Sequence, residues 1–152
     1  MKMTAAEYKK TAKKQRSYPE EDLQIACVQW FKTQYPDLEI LHIPNGGSRS
    51  FRVSKNGRRY SPEGDRLNKM GLRKGTSDLF IPEPRRGYHG LWIEMKADKN
   101  SKLSGDQQEF VQKMAYRGYA CYKAYALGMF ITIVTVYLRP GATEKLVPMD
   151  TN

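Results

Sequence analysis

From Pro19 to Tyr35 apolar residues recur at helical spacing: Leu23, Ala26, Cys27, Trp30 and Phe31. Pro19 suits a first helical position and Tyr35-Pro36 stops the run, so the pattern predicts a helix. "LEILHIPNGG", Leu38 to Gly47, reads as a short strand entering a Pro-Asn-Gly-Gly turn. "SDLFIPEP" and "LWIEMKA" predict two strands joined by a loop rich in Pro, Arg and Gly. "LSGDQQEFVQKMAYRGY" predicts a second helix: Ser104 opens it, Phe110, Val111 and Met114 share one face, and Gly118 suits its C-cap. "YACYKAYA" follows as a strand. Leu127 to Leu138 fits two patterns, because its β-branched content favours a strand while Ile131, Val134 and Leu138 also share one helical face. No internal repeat interrupts this order.

Length and charge set the frame around those elements. At 152 residues the chain suits one domain with a real core. Residues 1 to 16 carry six basic residues against the single acid Glu7 and predict a basic arm, leaving 17 to 152 as the folded domain. The net charge of +10 is that of a protein that meets polyanions, nucleic acid first and an anionic membrane surface second. The longest apolar run, Met129 to Leu138, is about half of the roughly 20 residues a membrane span needs. The N-terminus lacks an apolar signal core, so a soluble, unsecreted protein is expected, cytoplasmic or in the host cytoplasm if viral. Cys27 and Cys121 sit in apolar patterns without CxxC or Cys/His spacing, which predicts buried free thiols; His42 and His89 are too isolated for zinc.

The polar stretch from Ser48 to Lys74 sets nine basic residues against Glu63 and Asp65. A solvated loop with a short helix explains it. Interleaved Phe51 and Tyr60 favour a nucleic-acid surface, where basic side chains hold phosphate and aromatic rings stack on unpaired bases. Arg49, Arg52, Arg58, Arg59, Arg73 and Lys74 are the candidate DNA-binding residues.

The chemistry is concentrated in "LWIEMKA". Strand alternation sends Leu91, Ile93, Met95 and Ala97 to one face and Trp92, Glu94 and Lys96 to the other. A buried, unpaired Glu94 or Lys96 is costly, so each needs a partner or a metal ion. The neighbouring strand offers one. If Pro82 and Leu91 bracket the loop, Asp78 faces residue 95, and a one-residue shift sets it across from Glu94 or Lys96. Two adjacent carboxylates repel, and a divalent cation such as Mg²⁺ relieves this; it also activates water and polarises a phosphoryl oxygen. Lys96 is then placed to orient water or neutralise a phosphate. The bland alternative is a solvated hairpin bearing an ordinary Glu/Lys pair.

Two helices offer further groups. At about 100° per residue from Leu23, Glu20 falls near 60°, inside the apolar arc, and Glu21 near 160°. Glu20 is therefore the inward acid, although the helix dipole alone also favours an acid there. Gln24 lies on the rim of that face. Ser104-x-x-Gln107 is a capping box, to which a site role for Gln107 adds without conflict.

"GTSDLFI" and "EMK", with fifteen residues between Asp78 and Glu94, then "LSGDQ" and "GY" together resemble the PD-(D/E)xK nuclease superfamily, and within it the virus-type replication-repair nuclease (VRR-NUC) domain. The resemblance extends from about Glu20 to Tyr137 and includes "EEDLQ" and "IPNGG". It implies an α/β, restriction-endonuclease-like fold: a central mixed sheet flanked by helices in αβββαβ order, with a C-terminal helix, so that Leu127 to Leu138 is expected as helix. It implies a Mg²⁺ or Mn²⁺ site with Asp78 and Glu94 as metal carboxylates, the Met95 carbonyl as a further ligand, Lys96 as catalytic lysine, Glu20 as helix acid and Gln107 as helix amide. Ser77 stands where such proteins often have proline. The implied activity is endonucleolytic cleavage of branched or flapped DNA, and similarity to stand-alone Holliday-junction resolvases implies a homodimer. A basic binding module without catalysis and a restriction-type duplex endonuclease are the alternatives.

Overall fold

The computed structural model describes residues 19–44 and 52–148. The proline-led helix forms as α1 (Pro19–Gln34), with Glu20, Glu21 and Asp22 in its first turn, where the helix dipole favours them. Next come β1 (Leu41–His42), a small hairpin of β2 (Arg52–Val53) and β3 (Arg59–Tyr60), and α2 (Pro62–Lys69). The chain continues through β4 (Leu79–Ile81), β5 (Leu91–Met95), α3 (Gly105–Tyr116), β6 (Ala120–Ala124) and α4 (Leu127–Leu138). The predicted α/β order holds, with β2, β3 and α2 inserted between β1 and β4.

The sheet runs β1-β4-β5-β6; the first two pairings are antiparallel, while β5 and β6 are parallel. Odd-numbered β5 residues, with Leu79 and Ile81 from β4, pack under Cys27 and Phe31 of α1 and Phe130, Val134 and Tyr137 of α4. Trp30 meets Phe130 edge-on at 6.0 Å between ring centroids. Trp92, on the other face, joins Leu103, Val111 and Cys121 in a second cluster beneath α3. It stacks on Phe80 at 4.3 Å and meets Phe110 edge-on at 5.0 Å. Both sheet faces are therefore covered, as a sheet bearing a parallel pair requires.

Leu127 to Leu138 is helical, and its buried residues Phe130, Val134, Tyr137 and Leu138 follow a helical period shifted from the expected face at Ile131. Arg86 ties its last turn down. Held at φ 54 beside Gly87 at φ 77, it donates from Nε to the Val136 carbonyl at 3.0 Å and from Nη1 to the Glu144 carbonyl at 2.8 Å. Residues with left-handed φ are uncommon outside glycine, and this one supplies a hydrogen bond that the helix end leaves open at Val136 and ties the chain beyond it at Glu144.

The stretch expected as loop plus short helix contains more structure. Asn56-Gly57 forms the turn of a hairpin pairing Arg52 with Tyr60 and Val53 with Arg59, with Gly57 at φ 76. An Asn-Gly pair between Val53 and Tyr60 is a recognised hairpin signal. The Ser61 hydroxyl then caps α2 by accepting from the Gly64 amide at 3.2 Å. The basic arm 1 to 16, Arg49, Phe51 and the Asn45-Gly46-Gly47 end of the predicted turn lie outside the described residues.

Candidate active site

The hairpin register settles where Asp78 goes. Leu79 pairs with Ile93 and Ile81 with Leu91, one residue off the Pro82-to-Leu91 bracket, which brings Asp78 level with Glu94. Asp78 Oδ2 accepts the Met95 amide proton at 2.8 Å, a bond available because β4 begins only at Leu79. The N–H and C=O of one strand residue project towards the same edge, so the Met95 carbonyl also faces Asp78. The expected ligand pair and carbonyl therefore meet on adjacent strands.

Glu94 is 2% exposed. Its Oε1 receives Lys96 Nζ in an ion pair of 3.2 Å and a hydrogen bond from Gln107 Nε2, while Oε2 is buried without a partner. Gln107 does two jobs at once: its Oε1 accepts the Ser104 amide proton at 2.8 Å, closing the capping box, and also the Lys96 ammonium at 3.0 Å. Helix cap and lysine clamp are one side chain.

Burial, reinforced by the Asp78 carboxylate and Glu20 and opposed by Lys96, pushes Glu94 up to about 7. Asp78 is likewise raised by burial, with its Met95 hydrogen bond and nearby Lys96 acting against the shift. A buried carboxylate with an orphaned oxygen, raised further by a partly buried carboxylate beside it, forms with it a donor set suited to a hard cation. Among the described residues no group of three or more His, Cys, Asp and Glu side chains gathers as a metal cluster. The set is instead two carboxylates and a carbonyl, which suits Mg²⁺ because that ion keeps several waters.

Asp78, Glu94 and Gln107 line a cavity of about 640 Å³. Glu20, Glu21 and Gln24 of α1 line it, so both helix acids reach the cavity rather than Glu20 alone. Three contributors escaped the sequence reading. His42 lines the cavity, with Nδ1 2.9 Å from Gln24 Nε2 and 3.1 Å from the Asp78 carbonyl, joining α1, β1 and β4. Its partners lie 18 and 36 residues away in sequence, so no local motif marks this role. Gly75, at φ +75, runs against the start of α3, where an added Cβ would lie 2.3 Å from the Asp106 carbonyl carbon. Asp106 itself lines the cavity wall.

The basic candidates divide. Arg73 packs over the Phe110 ring at 5.2 Å and pairs with Glu109 at 3.5 Å, while its Nη1 is buried without a partner. Lys74, the next residue, lines the acidic cavity. Arg58 and Arg59 line a separate groove beside α2, and Arg52 is exposed on the hairpin. Cys27 and Cys121 are free and buried, and burial pushes their thiols up to about 11 and about 12, so neither is a ready nucleophile. No helix among the described residues is long and apolar enough to cross a membrane.

A mixed sheet with an aspartate at the mouth of one strand, Glu-x-Lys on its neighbour, and a helix amide clamped on that glutamate and lysine defines a nuclease-type fold of the PD-(D/E)xK class. The VRR-NUC domain family model matches residues 18–126, and the chain belongs to that family. A solved structure described as a VRR_NUC domain protein is similar to it at 25% identity and a TM-score of 0.65, over 84% of this chain and 95% of that one. No curated protein matches. Membership of a nuclease family implies DNA as the substrate.

Proposed function

We propose that this protein is a Mg²⁺- or Mn²⁺-dependent endonuclease that hydrolyses phosphodiester bonds in branched DNA, in the manner of a Holliday-junction resolvase. The observation that carries the reading is the buried Glu94, one oxygen unpartnered, level with Asp78. Asp78, Glu94 and the Met95 carbonyl would hold the cation, with Glu20 of α1 on the wall of the same cavity. When bound, it supplies a water of lowered pKa and stabilises charge on the phosphoryl oxygens. Gln107 and Glu94 fix the Lys96 ammonium at the site, where it neutralises a phosphate oxygen or orients the attacking water. Water oxygen adds to phosphorus, one ester P–O bond breaks, and the leaving strand takes a proton.

Symmetric cutting of a four-way junction needs two such sites, so the active form is proposed to be a homodimer, which light scattering of the full chain tests. Labelled four-way, flap and linear DNA incubated with Mg²⁺ tests the substrate: preferred cutting at the branch is expected, and preferred cutting of linear duplex would favour the restriction-type alternative.

One observation favours a second reading. Lys96, Glu94 Oε1 and Gln107 form a closed network that could serve a non-catalytic DNA-binding module as structure alone. Calorimetric titration with Mn²⁺ separates the two: a nuclease site binds the ion and loses it in Asp78→Asn, whereas a pure binder shows no such site.

A further inference from the structure

Beside the acidic cavity lies a second, open groove of about 640 Å³ between the β2–β3 hairpin and α2. Its lining is polar and basic: Arg58, Arg59, Tyr60, Asn68 and Lys74, with Asp65 as its acid. Lys74 lines both cavities, so the two adjoin at that residue. The hairpin contributes no strand to the main sheet, and its residues are exposed. Tyr60 is 40% exposed, leaving much of a ring uncovered in a groove otherwise built for phosphate.

We propose that this groove is a single-strand DNA track, which leads the unpaired arm of a flapped substrate, an arm that a fully paired four-way junction lacks, past Lys74 to the acidic cavity. A basic groove with an exposed aromatic ring is the arrangement that holds single strands, because cations follow the backbone while the ring stacks on any base. A closed duplex offers phosphates to the same cations but no free base face to Tyr60. The groove therefore discriminates substrates by strandedness. The inference rests on the nuclease reading for its destination, but the track itself is a binding property.

Fluorescence anisotropy of the full chain in EDTA, with a labelled single strand, a flap and a blunt duplex, tests it without cleavage. Tyr60→Leu is expected to weaken single-strand and flap binding about tenfold and duplex binding less than twofold, while Tyr60→Phe, which keeps the ring, binds as wild type. Lys74→Ala should weaken single-strand binding several-fold, whereas Arg139→Ala, an equal charge loss at the end of α4, should not. Equal losses for Tyr60→Leu and Tyr60→Phe, equal losses on all three DNAs, or Arg139→Ala matching Lys74→Ala would each overturn the track. Cleavage in Mg²⁺ by Asp78→Asn is read in parallel. A track that fails while Asp78→Asn is inactive leaves the nuclease reading standing, and an active Asp78→Asn removes that reading whatever the groove binds.

Discussion

Glu94 is the residue on which both stability and chemistry turn. It binds a proton more tightly in the folded state than its ordinary carboxylate value of 4.5 allows, up to about 7. Between those values the native state holds a proton that the unfolded chain has lost, so stability falls as pH rises through the window. At 1.36 kcal/mol per pKa unit the loss is of the order of 3 kcal/mol, and Asp78 adds in the same direction. Urea denaturation of metal-free protein from pH 4.5 to 7.5 should show this decline flattened in Glu94→Gln; parallel curves for wild type and variant would contradict it. A cation bound only by the native state reverses the penalty. At a hundred times its dissociation constant Mn²⁺ should stabilise by about 2.7 kcal/mol, roughly 5 to 10 °C in melting temperature, and Asp78→Asn should abolish the rise. These residues could be read from the sequence because strand alternation dictates which side chains share a face. His42 could not, since its partners Gln24 and Asp78 are brought to it only by packing.

At the scale of elements, the loop between α2 and β4 is held in place by Gly75. An alanine there must take a left-handed backbone and push against the Asp106 and Gln107 backbone, with its Cβ as close as 2.3 Å. Gly75→Ala is expected to cost about 2 kcal/mol or more, combining backbone strain with a steric clash, and to lower cleavage by displacing Asp78 from Met95. Full stability in urea together with full activity would show that the close approach does not matter. The α1–α4 layer is tested by Phe31→Ala, for which a loss of about 3 to 5 kcal/mol is expected from a fully buried ring. Long periodic segments such as α1 and α3 were legible because burial repeats along them. Leu127 to Leu138 was not, since an almost wholly apolar segment carries little polar contrast to reveal its period. The hairpin was missed for a different reason: its strands are two residues each and both exposed, so no burial alternation marks them.

For the whole molecule the governing quantity is charge. A net +10 predicts DNA affinity that falls steeply with salt, by about 0.9 in log–log slope for each phosphate held. Neighbouring arginine and lysine should behave differently in that measurement. Lys74→Ala should reduce the slope by about one contact at little cost in stability. Arg73→Ala should leave the slope unchanged and cost about 1 kcal/mol through its Phe110 contact; a reduced slope in Arg73→Ala would place it on DNA after all. Charge alone made a polyanion partner legible, but not which basic residues face it, because Arg73 is committed to α3 by contacts that composition cannot reveal. Asp78 and Glu94 are proposed to form one cation-dependent cutting site. Cleavage of a labelled four-way junction in Mg²⁺ by wild type and Glu94→Gln, with a matched EDTA control, measures this. Wild type should cut in Mg²⁺ and not in EDTA, and the variant should lose at least a hundredfold, about 2.7 kcal/mol of transition-state stabilisation; a Glu94→Gln protein that cuts at the wild-type rate would rule the shared site out.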